Sequence, residues 1–253
     1  MLALITDFGE DSVYPARIKA RVLASKNTPI LDITHSINAN DINEASYVYH
    51  LVADSLETGT VILFGVDSDQ RYKHAEVIAC KYNGHILMSY NSGLLSLIAG
   101  SDADFRVICS SKSRHAIAFS TDVSDQLSQI IDTGDIDQHP SIVDKLYIKK
   151  PLTPIIQSDR LTGTVIYVDS KKISHTNISR ADFDSFVNGG FFNISLSRHE
   201  RISRLSEAIE KYEGGMTSCF FNSAGYLAVE VYRDSAEGMY GLNRGQTISI
   251  ERK

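Results

Sequence analysis

Three aspartates stand directly after short apolar runs of the kind that form buried strands. In open α/β sheets, ligands bind outside the carboxyl ends of the strands. A carboxylate there can accept hydrogen bonds from sugar hydroxyls, attract a cation or orient a water molecule, whereas the commoner use of a single aspartate is to form a turn or cap a helix. The aspartates and the runs that precede them are Asp7 after Leu2–Thr6, Asp67 after Val61–Val66, and Asp169 after Val165–Val168.

Histidines and cysteines are the other residues that could do chemistry. His115 stands in a polar, basic stretch, where it can share a proton with an acid or serve as an ordinary surface histidine. Cys80, Cys109 and Cys219 are odd in number, far apart and in apolar settings, which favours buried thiols in a reducing cytoplasm. No C-x-x-C or Cys/His pattern indicates zinc, so we expect no metal.

The overall charge and hydropathy exclude two classes of partner. The chain has 253 residues, with 25 basic and 31 acidic side chains and a formal charge of −6. A nucleic-acid-binding protein needs a basic face, and none is visible. No apolar run is long enough to cross a bilayer, and no basic leader precedes the first apolar run, so we expect no membrane partner, no signal peptide and a cytoplasmic protein.

Residues 1–150 alternate between strand-like and helix-like patterns. Pro15 stands where a helix can begin, with Ile18, Val22 and Leu23 on one apolar face. Asp41, followed by Glu44, resembles a capping box before a second helix. The other segments predicted here are a helix over 121–131 and strands over 2–6, 30–33, 61–66, 77–79 and 86–88. Such alternation predicts an α/β domain with a parallel or mixed sheet.

The remaining chain has a different character. Prolines cluster between 140 and 154, which predicts a connector. Short strand-like runs follow, interrupted by one amphipathic pattern that predicts a helix over 203–212. We therefore predict an N-terminal α/β domain over 1–150, a linker over 151–162 and a smaller, mostly β, barrel-like domain over 163–253. The predicted strands of the second domain are 165–168, 191–196, 218–221, 226–231 and 247–250.

Six segments, taken in order along nearly the whole chain, resemble the S-adenosylmethionine (SAM) hydroxide adenosyltransferase family, the broad relative of the fluorinase and chlorinase. Each segment is short, and their common order and spacing carry the resemblance. The matching segments are T-D-F-G at 6–9, D-I-T-H-S-I at 32–37, the stretch 59–67 that begins with G-T-V and ends in Asp67, G-L-L-S at 93–96, G-T-V-I-Y-V-D at 163–169 with T-N-I at 176–178, and N-S-A-G-Y-L at 222–227.

The resemblance implies an activity and an assembly. Water would attack the ribose C5′ of SAM and release adenosine and L-methionine, with SAM as substrate and no cofactor. The sulfonium is already a good leaving group, so the chemistry needs a water molecule held in line with the C–S bond rather than a general acid. The protein would form a homotrimer whose active sites lie between the first domain of one subunit and the second domain of its neighbour.

The resemblance also implies roles for individual residues. Asp67 would be the acid of a water-activating Asp-Arg-His set, and His115 would be its histidine. In the N-terminal domain, Asp7 would hold the ribose hydroxyls. The remaining predicted substrate contacts lie in the C-terminal domain, where Asp169 would face the methionine ammonium group, Ser223 its carboxylate, and Asn177 would contribute to the substrate site.

The chain departs from the family at several of these points. Ser68-Asp69-Gln70-Arg71 replaces a glycine-rich turn, and either Arg71 or His74 takes the place of the family arginine. Tyr90-Asn91-Ser92 replaces P-D-N, Lys171-Lys172-Ile173 replaces the F-G-N of the nucleoside pocket, and Ala224 replaces an arginine of some relatives.

These departures leave alternatives to hydrolysis open. One is a protein on the same fold that binds SAM or adenosine without catalysis, and another is a trimeric α/β protein with an unrelated ligand. The halogen-using relatives lack the acid and the histidine, so Asp67 and His115 argue against a SAM-dependent halogenase.

Overall fold

The computed structural model describes residues 1–25, 27–66, 75–111, 116–141, 145–197, 199–206 and 213–252. The chain divides into two compact units, Met1–Pro151 and Leu152–Lys253. The first unit is a mixed sheet with helices, and the second is an antiparallel, nearly closed, barrel-like sheet. The predicted fold class is therefore confirmed.

The described part of the first unit has a six-stranded sheet of order β2-β1-β3-β5-β4-β6. The strands are β1 (Leu2–Thr6), β2 (Ile30–Thr34), β3 (Val61–Gly65), β4 (Ala75–Tyr82), β5 (His85–Tyr90) and β6 (Arg106–Ser111). The helices are α1 (Val13–Ser25), α2 (Ile42–Val52), α3 (Leu94–Ala99) and α4 (Ala116–Thr133), with a 3₁₀ turn over Ala53–Ser55.

The strand directions determine which loops share an edge of this sheet. Strand β1 is parallel to β2 and β3, and β3 is parallel to β5. Strand β4 is antiparallel to both of its neighbours, β5 and β6. Two reversals restore the original direction, so β6 ends at the same edge as β1, β3 and β5.

Burial explains why the central strands are continuous apolar runs. Every residue of β1, β3 and β5 is buried, as expected for strands covered on both faces. On one face, α4 presents Phe119, Val123, Leu127 and Ile130 at helical spacing, and these pack with Ile18 and Val22 of α1 in the main core.

Two details of the helices differ from the sequence-based prediction, the exposure of Leu23 and the hydrogen-bond partner of Glu44. Leu23 is 49% exposed, because it lies about 100° around α1 from Val22 and so leaves the buried face. Asp41 caps α2 as predicted, since its Oδ1 accepts hydrogen bonds from the backbone N–H groups of Asn43 and Glu44. The Glu44 carboxylate does not complete the box and instead accepts hydrogen bonds from Asn38.

The described part of the second unit is antiparallel throughout, with strand order β11-β10-β14-β8-β9-β13-β12, and β7 added beside β8. Its strands are β7 (Ile155–Ile156), β8 (Arg160–Val168), β9 (Ser174–Ser179), β10 (Phe192–Ser195), β11 (Arg201–Ile202), β12 (Thr217–Phe221), β13 (Tyr226–Val231) and β14 (Thr247–Arg252). Its helices are α5 (Arg180–Val187) and α6 (Ala236–Tyr240).

Three segments of this unit differ from the sequence-based expectation. The segment predicted as a linker, 151–162, contains β7 and the beginning of β8, because the two strands pair as a hairpin. Of the predicted helix over 203–212, residues 203–206 are not helical and the rest lies outside the described residues. Helix α5 was not predicted, although Ser179 and Asp182 form a complete capping box and Phe183, Phe186 and Val187 are buried.

Two smaller findings concern the chain as a whole. In the part of the chain that the structure describes, no helix is both long and apolar enough to span a bilayer. All three cysteines are free thiols, and burial raises the pKa of Cys80 and Cys219 to about 12.

The matched glycine at 163 has a steric cause. A Cβ at this position of β8 would overlap Cγ1 and Cδ1 of Ile178 and would lie 3.0 Å from Oδ1 of Asn177. Ile178 is fully buried on the neighbouring strand, so it has no solvent into which it can move. The absence of a side chain at Gly163 therefore permits the close approach of β8 and β9.

We expect Gly163→Ala to lower the free energy of unfolding by about 1–3 kcal/mol, the usual cost of overpacking a core. Urea denaturation of the purified protein measures this change. Gly214→Ala is the matched control, because a Cβ at Gly214 would meet no atom within 4 Å and its φ is not positive. Equal stability of the two variants would contradict the steric explanation.

Candidate functional site

The four residues predicted to activate water lie outside the described residues. Asp67, Arg71 and His74 fall in the segment 67–74, and His115 falls in the segment 112–115. Their roles therefore stay predictions. The chain leaves β3 for the first of these segments and β6 for the second, and both strands end at the edge of the sheet where β1 ends.

Asp7 lies at that edge, directly after β1. Its Oδ2 accepts a hydrogen bond of 2.9 Å from the backbone N–H of Asn40. Its own N–H donates to the carbonyl of Gly65 at the end of β3. Asn40 has a φ of 63°, and asparagine tolerates this left-handed conformation better than most residues. The backbone of Asp7 is thus held by the end of β3 and its half-buried carboxylate by the loop that follows β2, and the carboxylate can still accept hydrogen bonds from a ligand.

Two matched segments, T-D-F-G and D-I-T-H, are joined by a buried histidine. Nδ1 of His35 lies 2.9 Å from Oγ1 of Thr6, and Nε2 lies 3.2 Å from Oδ1 of Asp32, outside hydrogen-bond geometry. His35 is 5% exposed and its carbonyl accepts from the N–H of Gly9. The Asp7 loop is therefore fastened to the end of β2.

Glu10 reinforces the same loop. Its Oε1 accepts hydrogen bonds from the hydroxyl of Ser36, at 2.7 Å, and from the N–H of His35. These two bonds stabilise the ionised form and lower the pKa of Glu10. Glu10 is exposed to solvent, so we ascribe to its carboxylate an orienting role rather than catalysis.

The segment 91–96, which ends in the matched G-L-L-S, holds another part of the first unit. The side chain of Asn91 donates to the carbonyl of Lys145 and accepts from the N–H of Tyr147. The hydroxyl of Ser96 accepts from the N–H of Lys149. A Cβ at Gly93 would collide with the side chain of Lys149, and its φ is 95°. In this chain the segment therefore anchors residues 145–149 to the sheet.

In the second unit, Asp169 organises the turn between β8 and β9. Its Oδ1 accepts hydrogen bonds of 2.9 Å from the N–H groups of Lys171 and Ile173. Its Oδ2 lies 3.4 Å from Nε2 of His175, and the side chain is 24% exposed. The turn-forming use of this aspartate is thus present, and the carboxylate still reaches solvent.

The other two predicted substrate contacts have different surroundings. The Oδ1 of Asn177 accepts from the N–H of Thr164, and its Nδ2 donates to the carbonyl of Leu152, each at 2.7 Å. This buried amide joins β8, β9 and the segment before β7. Ser223 is exposed, in the turn between β12 and β13. The structure thus places Asn177 within the framework of the unit and Ser223 at its surface.

One residue that the sequence did not single out is His175. It lies on β9, only 6% exposed, between Asp169 and Asn222, whose Nδ2 is 3.1 Å from its Nδ1. A local signal existed, since His175 immediately precedes the T-N-I segment and follows Asp169 by six residues. Asn222, however, is 47 residues away, and the register of β9 with β13 brings it close.

A surface depression in the second unit and the spacing of potential metal-binding side chains bear on which ligands the protein can take. An open depression in the second unit borders the Asp169 turn and has charges of both signs along its lining, from Lys171, Lys172, Glu230 and Glu237. Within the described ranges, no three histidine, cysteine, aspartate or glutamate side chains come close enough to hold a metal ion.

Burial should make the stability of the second unit depend on pH through His175. Burial lowers the pKa of His175, although Asp169 opposes the shift. Below a pH of about 6.5 the unfolded histidine binds a proton that the folded one does not. The free energy of unfolding therefore decreases as the pH is lowered through this range. We expect the melting temperature to fall more between pH 7.5 and pH 5.0 in the wild type than in His175→Gln.

Thermal denaturation of both proteins at the two pH values measures this difference. Burial also lowers the pKa of His50 in the first unit, and that contribution is common to the two proteins and cancels in the comparison. Parallel losses in wild type and variant would show that His175 does not contribute.

Comparison with known proteins covers both units. Residues 2–134 match the SAM hydroxide adenosyltransferase N-terminal domain, and residues 163–249 match the C-terminal domain of the same family. No curated protein matches the chain at a significant level.

Two solved structures have the same fold over the full length of the chain. An uncharacterized conserved protein from Thermotoga maritima is 21% identical, with a TM-score of 0.82 and complete coverage of both chains. A conserved hypothetical protein from Thermus thermophilus is 19% identical, with a TM-score of 0.72 and coverage of 100% of this chain and 99% of that one. At these identities the likeness concerns the fold alone. The two domain matches establish that the chain belongs to the SAM hydroxide adenosyltransferase family.

Proposed function

We propose that the protein is a SAM hydrolase. Water attacks the ribose C5′, the new C–O bond forms as the C5′–S bond breaks, and the electron pair of the broken bond neutralises the sulfonium. The products are adenosine, L-methionine and one proton, which passes from the attacking water to a base and then to solvent. The family match supports the substrate class.

The geometric observation that carries the proposal is the common edge at which β1, β3 and β6 end. Asp7 lies at that edge, and the chain enters both segments that contain the predicted water-activating residues from it. Parallel strand ends of this kind are the usual ligand-binding edge of an α/β sheet. A sugar held there by Asp7 would present its C5′ to side chains from the two segments.

The roles within the proposal follow from the chemistry of each group. Asp7 accepts hydrogen bonds from the ribose hydroxyls. Asp67 and His115 polarise the attacking water and accept its proton. Arg71 or His74, the third member of the set, interacts with the charge of the Asp67–His115 pair. Because the leaving group needs no activation, most of the rate acceleration comes from holding the water about 3–3.5 Å from C5′ and in line with the sulfur.

The second unit would bind the methionine end of the substrate. The Asp169 carboxylate reaches solvent and suits an ammonium group, and the exposed hydroxyl of Ser223 suits a carboxylate. We further propose that the protein assembles as a homotrimer with active sites between subunits.

A second candidate is a protein that binds SAM or adenosine without catalysis. The observation that favours it is the turn 171–173, where Lys171 and Ile173 stand in place of the phenylalanine and asparagine of the family's nucleoside pocket. The backbone of this turn is engaged with Asp169, but neither an aromatic ring nor a side-chain amide is available there.

Incubation of the purified protein with SAM should yield adenosine, and Asp67→Ala should abolish this product. Loss of the carboxylate removes the group that polarises the water, and chromatography follows adenosine directly. Asp54→Ala is the matched control, since Asp54 is exposed in the same unit, and it should retain full activity.

The outcomes separate the two candidates. Wild-type protein that forms no adenosine, but whose melting temperature rises with SAM or adenosine, would identify the binding protein. Protein that responds to neither compound would contradict both.

We expect light scattering of the purified protein to give about three times the chain mass of 28.0 kDa. The expectation follows from the proposed sharing of each active site between subunits. A stable monomer at the concentrations used for the activity assay would contradict the shared site.

A further inference from the structure

The turn between β12 and β13 fixes the orientation of one amide. The Oδ1 of Asn222 accepts hydrogen bonds from the backbone N–H groups of Ala224, at 3.0 Å, and Tyr226, at 3.1 Å. Two N–H donors cannot point at an NH₂ group, so this atom is the oxygen. The Nδ2 of Asn222 is consequently the atom directed at His175, and it must act as a donor.

This donor in turn selects one form of the imidazole. Nδ1 of His175 lies 3.1 Å from Nδ2 of Asn222, so Nδ1 must accept and cannot carry a proton. A neutral imidazole then carries its proton on Nε2. That nitrogen faces Oδ2 of Asp169 at 3.4 Å, a long contact with the correct polarity.

The result is a chain of hydrogen bonds with one direction. It begins at the backbone of the 222–226 turn, passes through Asn222 and His175, and ends on the Asp169 carboxylate. With the two N–H groups of Lys171 and Ile173 on Oδ1, both oxygens of Asp169 are held. The chain therefore couples the turn that carries Ser223 to the turn that carries Asp169.

We propose that His175 and Asn222 are positioning residues for the amino-acid end of the substrate. The inference rests on the proposed function, in which Asp169 and Ser223 contact the methionine moiety. His175 holds the two turns in one arrangement, so that a carboxylate and a hydroxyl are presented together to a zwitterionic group. The ligand class that depends on this arrangement has an ammonium and a carboxylate on one carbon.

Burial supports a positioning role over simple packing. His175 is nearly inaccessible on β9, beside the ring of Tyr167 at 5.6 Å between centroids. An apolar side chain would fill such a site at no polar cost, whereas a buried imidazole is tolerated only when both nitrogens find partners. Here both partners belong to the turns that carry the proposed substrate contacts.

Two substitutions separate the two ends of the imidazole. His175→Asn keeps an acceptor near the position of Nδ1, so the bond from Asn222 is retained, but it removes the donor to Asp169. His175→Gln keeps an amide donor near the position of Nε2 for Asp169 but removes the acceptor for Asn222. His199→Asn is the matched control, because His199 is exposed in the same unit.

The experiment is calorimetric titration of wild-type and variant proteins with SAM and, separately, with adenosine, which lacks the amino-acid moiety. We expect His175→Asn to weaken SAM binding about tenfold, the scale of one hydrogen bond to a charged group. Adenosine affinity should stay unchanged. His175→Gln loses the acceptor for Asn222 and should also weaken SAM binding, whereas the His199→Asn control should bind SAM close to the wild-type level. In the ¹⁵N spectrum of the wild type, the His175 proton should reside on Nε2.

The outcomes distinguish this inference from the proposed function. SAM binding by the wild type with equal affinity in His175→Asn would overturn the inference and leave the function standing. Equal losses for SAM and adenosine would indicate general damage to the unit and also overturn it, as would a proton on Nδ1. Wild-type protein that does not bind SAM would overturn the proposed function and the inference together.

Discussion

The parallel pairing of β1 with β2 and β3 is the interaction on which the rest of the first unit depends. It brings the ends of these strands to one edge, where the Asp7 N–H reaches the Gly65 carbonyl and the Thr6 hydroxyl reaches His35. The three central strands are buried on both faces, so their register is set by the core and not by solvent. Polar chemistry is thereby confined to the loops at the strand ends.

The second unit positions its polar groups without parallel strand ends. Its antiparallel strands approach closely where Gly163 meets Ile178, and side chains inside the sheet, such as Asn177, satisfy backbone groups that the irregular pairing of β8 and β9 leaves over. Its exposed turns are tied together through His175 rather than through a shared sheet edge. The two units thus position polar groups by different means, strand direction in one and a directional series of hydrogen bonds in the other.

Much of the fold could be predicted because the determining signals are local. The apolar run 2–6 coincides with β1, and Asp41 caps α2 through its immediate neighbours. The side-chain environment was less predictable. Asn177 is predicted to contribute to the substrate site, and that stays a prediction, whereas the bonds of its amide to Thr164 and Leu152 could not be predicted because only the folded sheet brings these residues near. The pairing of His175 with Asn222 likewise depends on the register of two strands. The missed helix α5 is different, since its capping box is visible in the sequence.

Lys172 lies in the turn that the Asp169 carboxylate organises, and its backbone conformation is unusual for a lysine. Its φ is 66°, a left-handed conformation that costs a non-glycine residue about 1–2 kcal/mol. The N–H groups on either side of it, those of Lys171 and Ile173, donate to Oδ1 of Asp169 and hold the backbone in this conformation. One carboxylate thus imposes on the turn a backbone path for which glycine is ordinarily the best suited residue.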